Sequence, residues 1–176
     1  MTIREPICGR LVCLAPLSTE SVGDWVRWME DPDTTRYLYA PGERPAQPPT
    51  PSGLLDWGRR ILSDPDRVVF ALRESGSQRL IGDARLTPIS RRRAKFSIMI
   101  GVGEFRGHGL GTEATALVCR YGFAQMALNE IVLDVDPRNE PAVRAYQAVG
   151  FEHHGAITMR LTRSRFRPVV GPDAAQ

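Results

Sequence analysis

Arg106-Gly107-His108-Gly109-Leu110-Gly111 stands between a short apolar run, Phe96 to Ile100, and a long amphipathic segment, Thr112 to Leu128. Glycines at alternate positions let successive backbone N–H groups turn toward one point with no Cβ in the way. A helix that follows adds its positive dipole end and its unpaired first-turn donors. The stretch reads as a cradle for an anionic ligand of phosphate type. A bare turn opening a helix has a similar glycine content, so the neighbouring residues decide between the two readings.

Downstream, Leu110, Ala114, Leu117, Val118, Tyr121 and Leu128 keep helical spacing, and Ile131, Leu133 and Val135 then alternate as one face of a strand. Asn139 is predicted to cap a further helix, with Pro141 in its first turn, an apolar stripe of Ala142, Ala145, Tyr146 and Val149, and Gly150 at its C-terminal stop. Strands are expected at Phe151 to Ala156 and Thr158 to Thr162, and a frayed tail over 168–176.

Upstream, Arg10 to Ala15 is a compact apolar run ended by Pro16, which predicts a buried strand. Ser18 is a candidate N-cap for a helix over 19–30, whose stripe is Val22, Trp25, Val26 and Met29, with Trp28 at its edge. The proline-rich segment from Tyr39 to Ser52 predicts an irregular loop, with the character of a lid. Leu54, Gly58, Ile61 and Leu62 predict a second helix, with Trp57 at its margin, closed by Asp64-Pro65. Val68 to Arg73, Leu80 to Leu86 and Ala94 to Ile100 then read as an antiparallel meander, with Arg91, Arg92 and Arg93 in a solvated hairpin loop. The order is that of an α/β (α+β) chain, antiparallel in its first half and with one strand-helix-strand crossover in its second.

A chain of 176 residues, 42% of them hydrophobic, fits one domain over 1–167 followed by the 168–176 tail. The net charge of +3 is too mild for a dedicated nucleic-acid binder and suits a local anion site. Cys8, Cys13 and Cys119 have no C-x-x-C spacing and are expected to be buried free thiols. Neither a secretory signal nor an apolar run of membrane-spanning length is visible, so a cytoplasmic protein with no membrane partner is expected. His153 and His154 are adjacent and lack a third ligand, so no metal site is expected.

Two phosphate-binding readings fail on these residues. A P-loop needs a lysine before its Ser or Thr, and Gly111-Thr112 has none. A dinucleotide turn is written G-x-G-x-x-G directly after its strand, whereas here the spacing is G-x-G-x-G and six residues separate Ile100 from Gly107. The residues instead resemble the GNAT N-acetyltransferase superfamily, whose pyrophosphate loop is written Arg/Gln-x-x-Gly-x-Gly/Ala; Arg106, Gly109 and Gly111 fill its fixed positions. Asn139, Ala142, Tyr146, Gly150 and Phe151 follow in that family's order. The resemblance is strong over about 95–155 and looser elsewhere, where Trp25 to Met29, Asp31-Pro32 and Thr35 to Leu38 look like the branch of ribosomal-protein N-terminal, polyamine and some aminoglycoside acetyltransferases.

That resemblance implies a GNAT-like fold, a mixed, mostly antiparallel sheet splayed at its centre with helices on both faces. It implies acetyl-coenzyme A as cosubstrate, and direct attack on it by a primary amine of a polyamine, an amino-sugar or a protein amino terminus. The cofactor would meet Ile100, Gly101, Val102, Arg106, Gly107, His108, Gly109, Leu110, Gly111, Thr112 and Asn139. Gly101 and Gly103 suit the bend that aims a backbone N–H at the thioester carbonyl. Tyr146 takes the general-acid position, although its place on an apolar stripe also fits a packed core tyrosine. Asp134 is a candidate cation holder or base, Asp83 and Glu104 are further candidates, and Glu113 reads as support for its helix N-terminus. Trp25, Trp28, Tyr37, Asp83 and Asp134 are the expected acceptor residues, with inter-helix packing the competing role for Trp25. A homodimer is compatible with the resemblance. A non-catalytic acyl-coenzyme A module and an NAD-dependent enzyme remain as alternatives.

Overall fold

Strand residues alternate between two apolar faces, and helices cover both. A computed structural model describes residue 3 and residues 5–18, 21–38 and 49–169. Its strands are β1 (Ile7–Cys8), β2 (Val12–Pro16), β3 (Val68–Glu74), β4 (Leu80–Ser90), β5 (Arg93–Ile100), β6 (Glu130–Asp134), β7 (Glu152–His153) and β8 (Thr158–Thr162). Its helices are α1 (Val22–Glu30), α2 (Pro32–Thr35), α3 (Pro51–Ser63), α4 (Leu110–Ala124) and α5 (Glu140–Val149). The strands form one sheet in the order β1-β2-β3-β4-β5-β6-β8-β7. Neighbours are antiparallel except β5 and β6, which are parallel, as a strand-helix-strand crossover through α4 requires.

Leu14, Phe70, Leu86, Phe96, Ile131 and Leu161 belong to the core that α4 and α5 cover, through Leu110, Ala114, Val118 and Val149. The other face of β2 and β3 presents Ala15, Val69 and Ala71 to Trp25 and Trp28 of α1 and to Ile61 of α3. Caps set the helix limits: Thr50 Oγ1 accepts from the Gly53 N–H ahead of Pro51, and Asn139 Oδ1 accepts from the Ala142 N–H at 3.4 Å. Gly150, at φ +105, ends α5 as the sequence predicts.

Several expectations are corrected. Cys8 and Cys13 are not free thiols but a disulfide, because β1 pairs back on β2 and sets the two residues directly opposite. The free, buried thiol among the described residues is Cys119. α1 begins at Val22 with Ser21 as N-cap, and the Ser18 carbonyl accepts from the Ser21 N–H, so Ser18 is not the cap; residues 19 and 20 lie outside the described residues. Asp31, read as the end of a helix, caps the further short helix α2 by accepting from the Asp33 and Thr34 N–H groups. Pro51 and Ser52 open α3 rather than closing a loop, since proline is well placed at a first helical position; residues 39–48 of the expected lid lie outside the described residues. Helix α4 starts earlier and ends earlier than the 112–128 expected, Arg93 belongs to β5 rather than to the hairpin loop, and the strand expected over 151–156 shrinks to β7. Residues 170–176 of the expected tail are also outside the described residues.

Phe96 ties the sheet to the second half of the chain. It is buried, with its ring edge-on to Tyr146 at 6.2 Å and near Phe151 at 6.5 Å. Phe96→Ala is expected to lower unfolding free energy by about 3–5 kcal/mol in denaturant titration.

Candidate functional site

β5 and β6 pair over three positions, Arg93 with Glu130, Ala94 with Ile131 and Lys95 with Val132, and then part. The register on the other side of β5 shows what the parting exposes. The Gly101 N–H donates to the Ile81 carbonyl, and Gly82 lies opposite Ile100. Alternation along an antiparallel ladder therefore turns the N–H and C=O of Ala94, Phe96, Ile98 and Ile100 away from β4. Ala94 and the Phe96 N–H meet β6, whereas the Phe96 carbonyl, both backbone groups of Ile98 and the Ile100 N–H border the gap. The Gly101 and Val102 amides, both expected to serve the cofactor, instead bond the Ile81 carbonyl at 2.8 and 3.3 Å.

The chain leaves β5 through a 3-10 turn, Gly103–Phe105, and enters the glycine loop. Gly107 and Gly109 have φ of +80 and +84, a conformation that L side chains rarely adopt. The Arg106 N–H is used within the chain, on the Gly103 carbonyl, and the next N–H so used is that of Glu113, on the Gly109 carbonyl. Among the described residues, the six intervening N–H groups, Gly107 through Thr112, have no acceptor in the chain. They lie where the α4 dipole is positive, and three of them are on Leu110, Gly111 and Thr112 in the first turn. The open donors fall on the glycine loop singled out in the sequence. His108 is exposed.

The Arg106 side chain does not face this cradle. Its Nε donates to the Ile100 carbonyl at 3.0 Å, and its Nη2 to the Gly101 carbonyl at 3.3 Å, to the Asp31 carboxylate at 3.3 Å and to the Thr34 hydroxyl. Arg106 thus locks the end of β5 to the start of α2. Trp28 completes the joint: a Cβ on Gly101 would collide with its indole, so the ring lies flat against that backbone. Asp31 is held below the ordinary carboxylate range, first by the Thr34 hydroxyl and also by backbone N–H groups and Arg106.

Tyr146 is half-buried, its ring 5.9 Å from Phe151, and burial pushes its phenol up to about 12. It remains protonated at neutral pH and can donate. Asp134, at the end of β6, accepts from Lys95 Nζ at 2.6 Å and from the Thr158 hydroxyl at 2.8 Å. The Lys95 bond holds its carboxyl below the ordinary value. Asp83 is the contrasting carboxylate. It is fully buried on β4 opposite Met99, neither of its oxygens has a hydrogen bond, and burial raises its pKa against the opposing charge of Arg85, whose Nη2 is 2.9 Å away. The Arg85 guanidinium in turn lies over Trp57 at 4.9 Å.

The remaining candidates are placed as follows. Trp25 meets Trp57 edge-on at 5.0 Å and packs against Gly58, which makes it part of the α1–α3 contact. Tyr37 lies close enough to Arg138 to raise that guanidinium's pKa, an effect in which Asp136 is the larger cause. Asp136 accepts from the Arg138 backbone N–H, as a capped turn would. Glu104 pairs with Arg79 at 2.5 Å. Glu113 does more than support its own helix: it accepts from the backbone N–H groups of Arg10, Leu11 and Val12. That role was not legible in sequence, since the partners lie about a hundred residues away. Five carboxylates of this region have a cationic neighbour, Asp83 with Arg85, Glu130 with Arg93, Asp134 with Lys95, Asp136 with Arg138 and Asp31 with Arg106. Among the described residues no group of three or more His, Cys, Asp or Glu could hold a metal, and no helix is long and apolar enough to cross a membrane.

A parallel strand pair that parts above a glycine-opened helix is the architecture of an acetyltransferase of the GNAT type. The family model described as an acetyltransferase (GNAT) domain matches residues 11–152, and the chain belongs to that family. It is similar to the spermidine N(1)-acetyltransferase of Escherichia coli K12, at 41% identity over 66 residues, which span 38% of this chain and 35% of that protein. It is also similar to the mouse alpha/beta-tubulin-N-acetyltransferase 9, at 24% over 159 residues, covering 83% of this chain and 64% of that one. The chain therefore spans less than two thirds of either relative. In fold it matches a spermidine N-acetyltransferase from Vibrio cholerae, solved with CoA and spermine, at a TM-score of 0.75 and 21% identity, covering 89% of this chain and 98% of that one.

The Lys95–Asp134 pair gives a titration test. A carboxyl whose folded pKa is lowered adds stability above its unfolded value, and that stability is lost as pH falls through the folded value. Lys95→Met removes the largest cause, so carbonyl-carbon NMR is expected to show the Asp134 midpoint moving up toward the ordinary carboxylate range.

Proposed function

We propose that the protein is an acetyl-coenzyme A dependent N-acetyltransferase in which a primary amine attacks the thioester directly. The observation that carries this reading is the continuous run of open backbone donors, Gly107 through Thr112, placed beside the gap between β5 and β6. Six N–H groups at a helix N-terminus fit a diphosphate, and an open strand edge fits the amides of a pantetheine arm. When bound, acetyl-coenzyme A supplies an acyl group on a thiol leaving group.

The chain's own residues do the rest. The loop holds the diphosphate, and the Phe96 carbonyl and the Ile98 backbone align the arm. An outward N–H of Ile98 or Ile100 polarises the thioester carbonyl, an interaction of a type worth about 3 kcal/mol of barrier. Tyr146 donates toward the departing sulfur. With its phenol at about 12 it is a weaker acid than an ordinary thiol, so it acts by hydrogen bonding to the sulfur as much as by full proton transfer. Of the three carboxylates considered for the amine's proton, Asp83 is the better base, because its pKa is raised while that of Asp134 is lowered and Glu104 is paired with Arg79. Its burial requires that the proton travel through water or through an opening beside Arg85.

The resemblance of part of the chain to a spermidine enzyme supports a polyamine acceptor. The charge balance of this structure favours an acceptor with one ammonium, such as a peptide or protein amino terminus. A polyamine brings several positive charges to carboxylates that already have cations, and each added cation must displace one. We place the reaction in the cytoplasm.

Two measurements test this. Tyr146→Phe is expected to lower kcat by about 10–100-fold while leaving coenzyme A affinity unchanged; an unaltered kcat removes Tyr146 from the chemistry. Thiol release from acetyl-coenzyme A should be faster with amino-terminal peptides than with spermidine at equal concentration. Faster release with spermidine would restore the polyamine reading, and binding without turnover on every amine would define a non-catalytic module.

A further inference from the structure

The hairpin of β1 and β2 takes no part in the proposed reaction, yet it is built against the glycine loop. β1 and β2 enclose a turn at Gly9–Leu11, in which the Gly9 N–H donates to the Val12 carbonyl. The next pair outward, Cys8 and Cys13, is a non-hydrogen-bonded pair of the ladder, where side chains approach most closely, and there the two sulfurs are bonded. The turn's polar groups are then shared between two distant elements. Its carbonyls go to the β3–β4 turn, where the Ser75 N–H donates to Leu11 and the Ser75 hydroxyl to Gly9. Its N–H groups go to Glu113: Arg10 at 3.0 Å, Leu11 at 2.7 Å and Val12 at 2.9 Å.

Glu113 is buried in the first turn of α4, directly after the six open donors of the cradle. Its carboxylate presses on Gly9, where an added Cβ would lie 2.7 Å from its Cδ. Leu11 reaches the loop itself, with its Cδ1 3.5 Å from the place a Cβ on Gly109 would take. A carboxylate at this helix end competes with a bound diphosphate for the same positive potential unless something else takes up its charge. Three charge-assisted bonds from the hairpin do so, and they hold the carboxylate turned away from the cradle.

Resting on the acetyl-coenzyme A reading above, we propose that Glu113 is a positioning residue for the diphosphate loop, acting through the disulfide-closed hairpin, so that cofactor affinity depends on the state of Cys8 and Cys13. Cys8 is exposed and Cys13 is buried, so a reductant has access from one side. Reduction breaks the S–S bond with two electrons and leaves one proton on each sulfur, while a phosphine takes the oxygen of water and becomes its oxide, or a dithiol gives up its two hydrogens and closes to its own disulfide. The hairpin then loses its covalent closure, and the three N–H groups lose their fixed presentation to Glu113.

The test compares coenzyme A with pantetheine, which lacks the diphosphate, by calorimetry on the whole protein, alongside steady-state kinetics. Glu113→Gln keeps the shape of the side chain and removes its charge. It is expected to raise KM for acetyl-coenzyme A by about tenfold, leave the acceptor KM within about twofold, and narrow the affinity gap between coenzyme A and pantetheine by a similar factor. Glu113→Asp should recover part of the loss. The wild-type protein reduced with a phosphine, thiols counted to confirm it, should shift in the same direction, which keeps the proposal testable if the variants fail to fold. Equal losses for coenzyme A and pantetheine, or a fall in kcat with KM unchanged, would mark Glu113 as merely structural and overturn the proposal, as would reduction without effect. Absence of coenzyme A binding by the oxidised wild type would instead overturn the acetyltransferase reading on which the proposal rests.

Discussion

The parting of β5 from β6 is the constraint on which the rest of the site depends. A parallel pair that continued to Ile100 would satisfy the Phe96 carbonyl and the Ile98 backbone groups within the sheet and leave nothing for a ligand to join. Pairing stops at Lys95 opposite Val132. The open edge persists because both flanks are fastened elsewhere. β4 holds β5 along its whole length, and β8 holds β6. Arg106 and Trp28 fix the end of β5 from the α1–α2 side, while Phe96, Tyr146 and Phe151 bind its beginning to the second half of the chain. The unpaired polar groups of the gap are tolerable because water or a ligand replaces the missing strand.

The loop after β5 follows the same logic at a helix end. Gly107 and Gly109 take positive φ so that six donors face outward, and the α4 dipole reinforces them. The side chains around the loop secure the backbone rather than reach for a ligand. Arg106, a fixed position of the family's motif, spends its hydrogen bonds on the carbonyls of Ile100 and Gly101 and on Asp31 and Thr34. Glu113 spends its own on the hairpin. The motif is thus a statement about backbone shape, and the bonded arginine holds that shape.

What the sequence makes legible follows from range. The glycine loop, the Asn139 cap, the Gly150 stop and the meander are local patterns, and each stands where its residues predict. Boundaries that depend on one cap residue moved, as at Ser21 and Thr50. The disulfide was missed because its signal is a two-residue strand, too short to show a period. The state of each carboxylate was illegible for a deeper reason. Asp83 and Asp134 have the same side chain on neighbouring parts of the sheet, but full burial raises the one against the charge of half-buried Arg85, while a hydrogen bond from exposed Lys95 lowers the other. The burial of Asp83 depends on what packs over β4, and the Lys95–Asp134 bond crosses strands, so neither can be read along the chain.

Backbone amide NMR during titration with coenzyme A addresses the central claim most directly. The account predicts saturable shifts at the amides of Gly107 through Thr112 and at those of Ile98 and Ile100, on the two sides of one binding event. Shifts confined to other parts of the sheet, or none at millimolar coenzyme A, would contradict it.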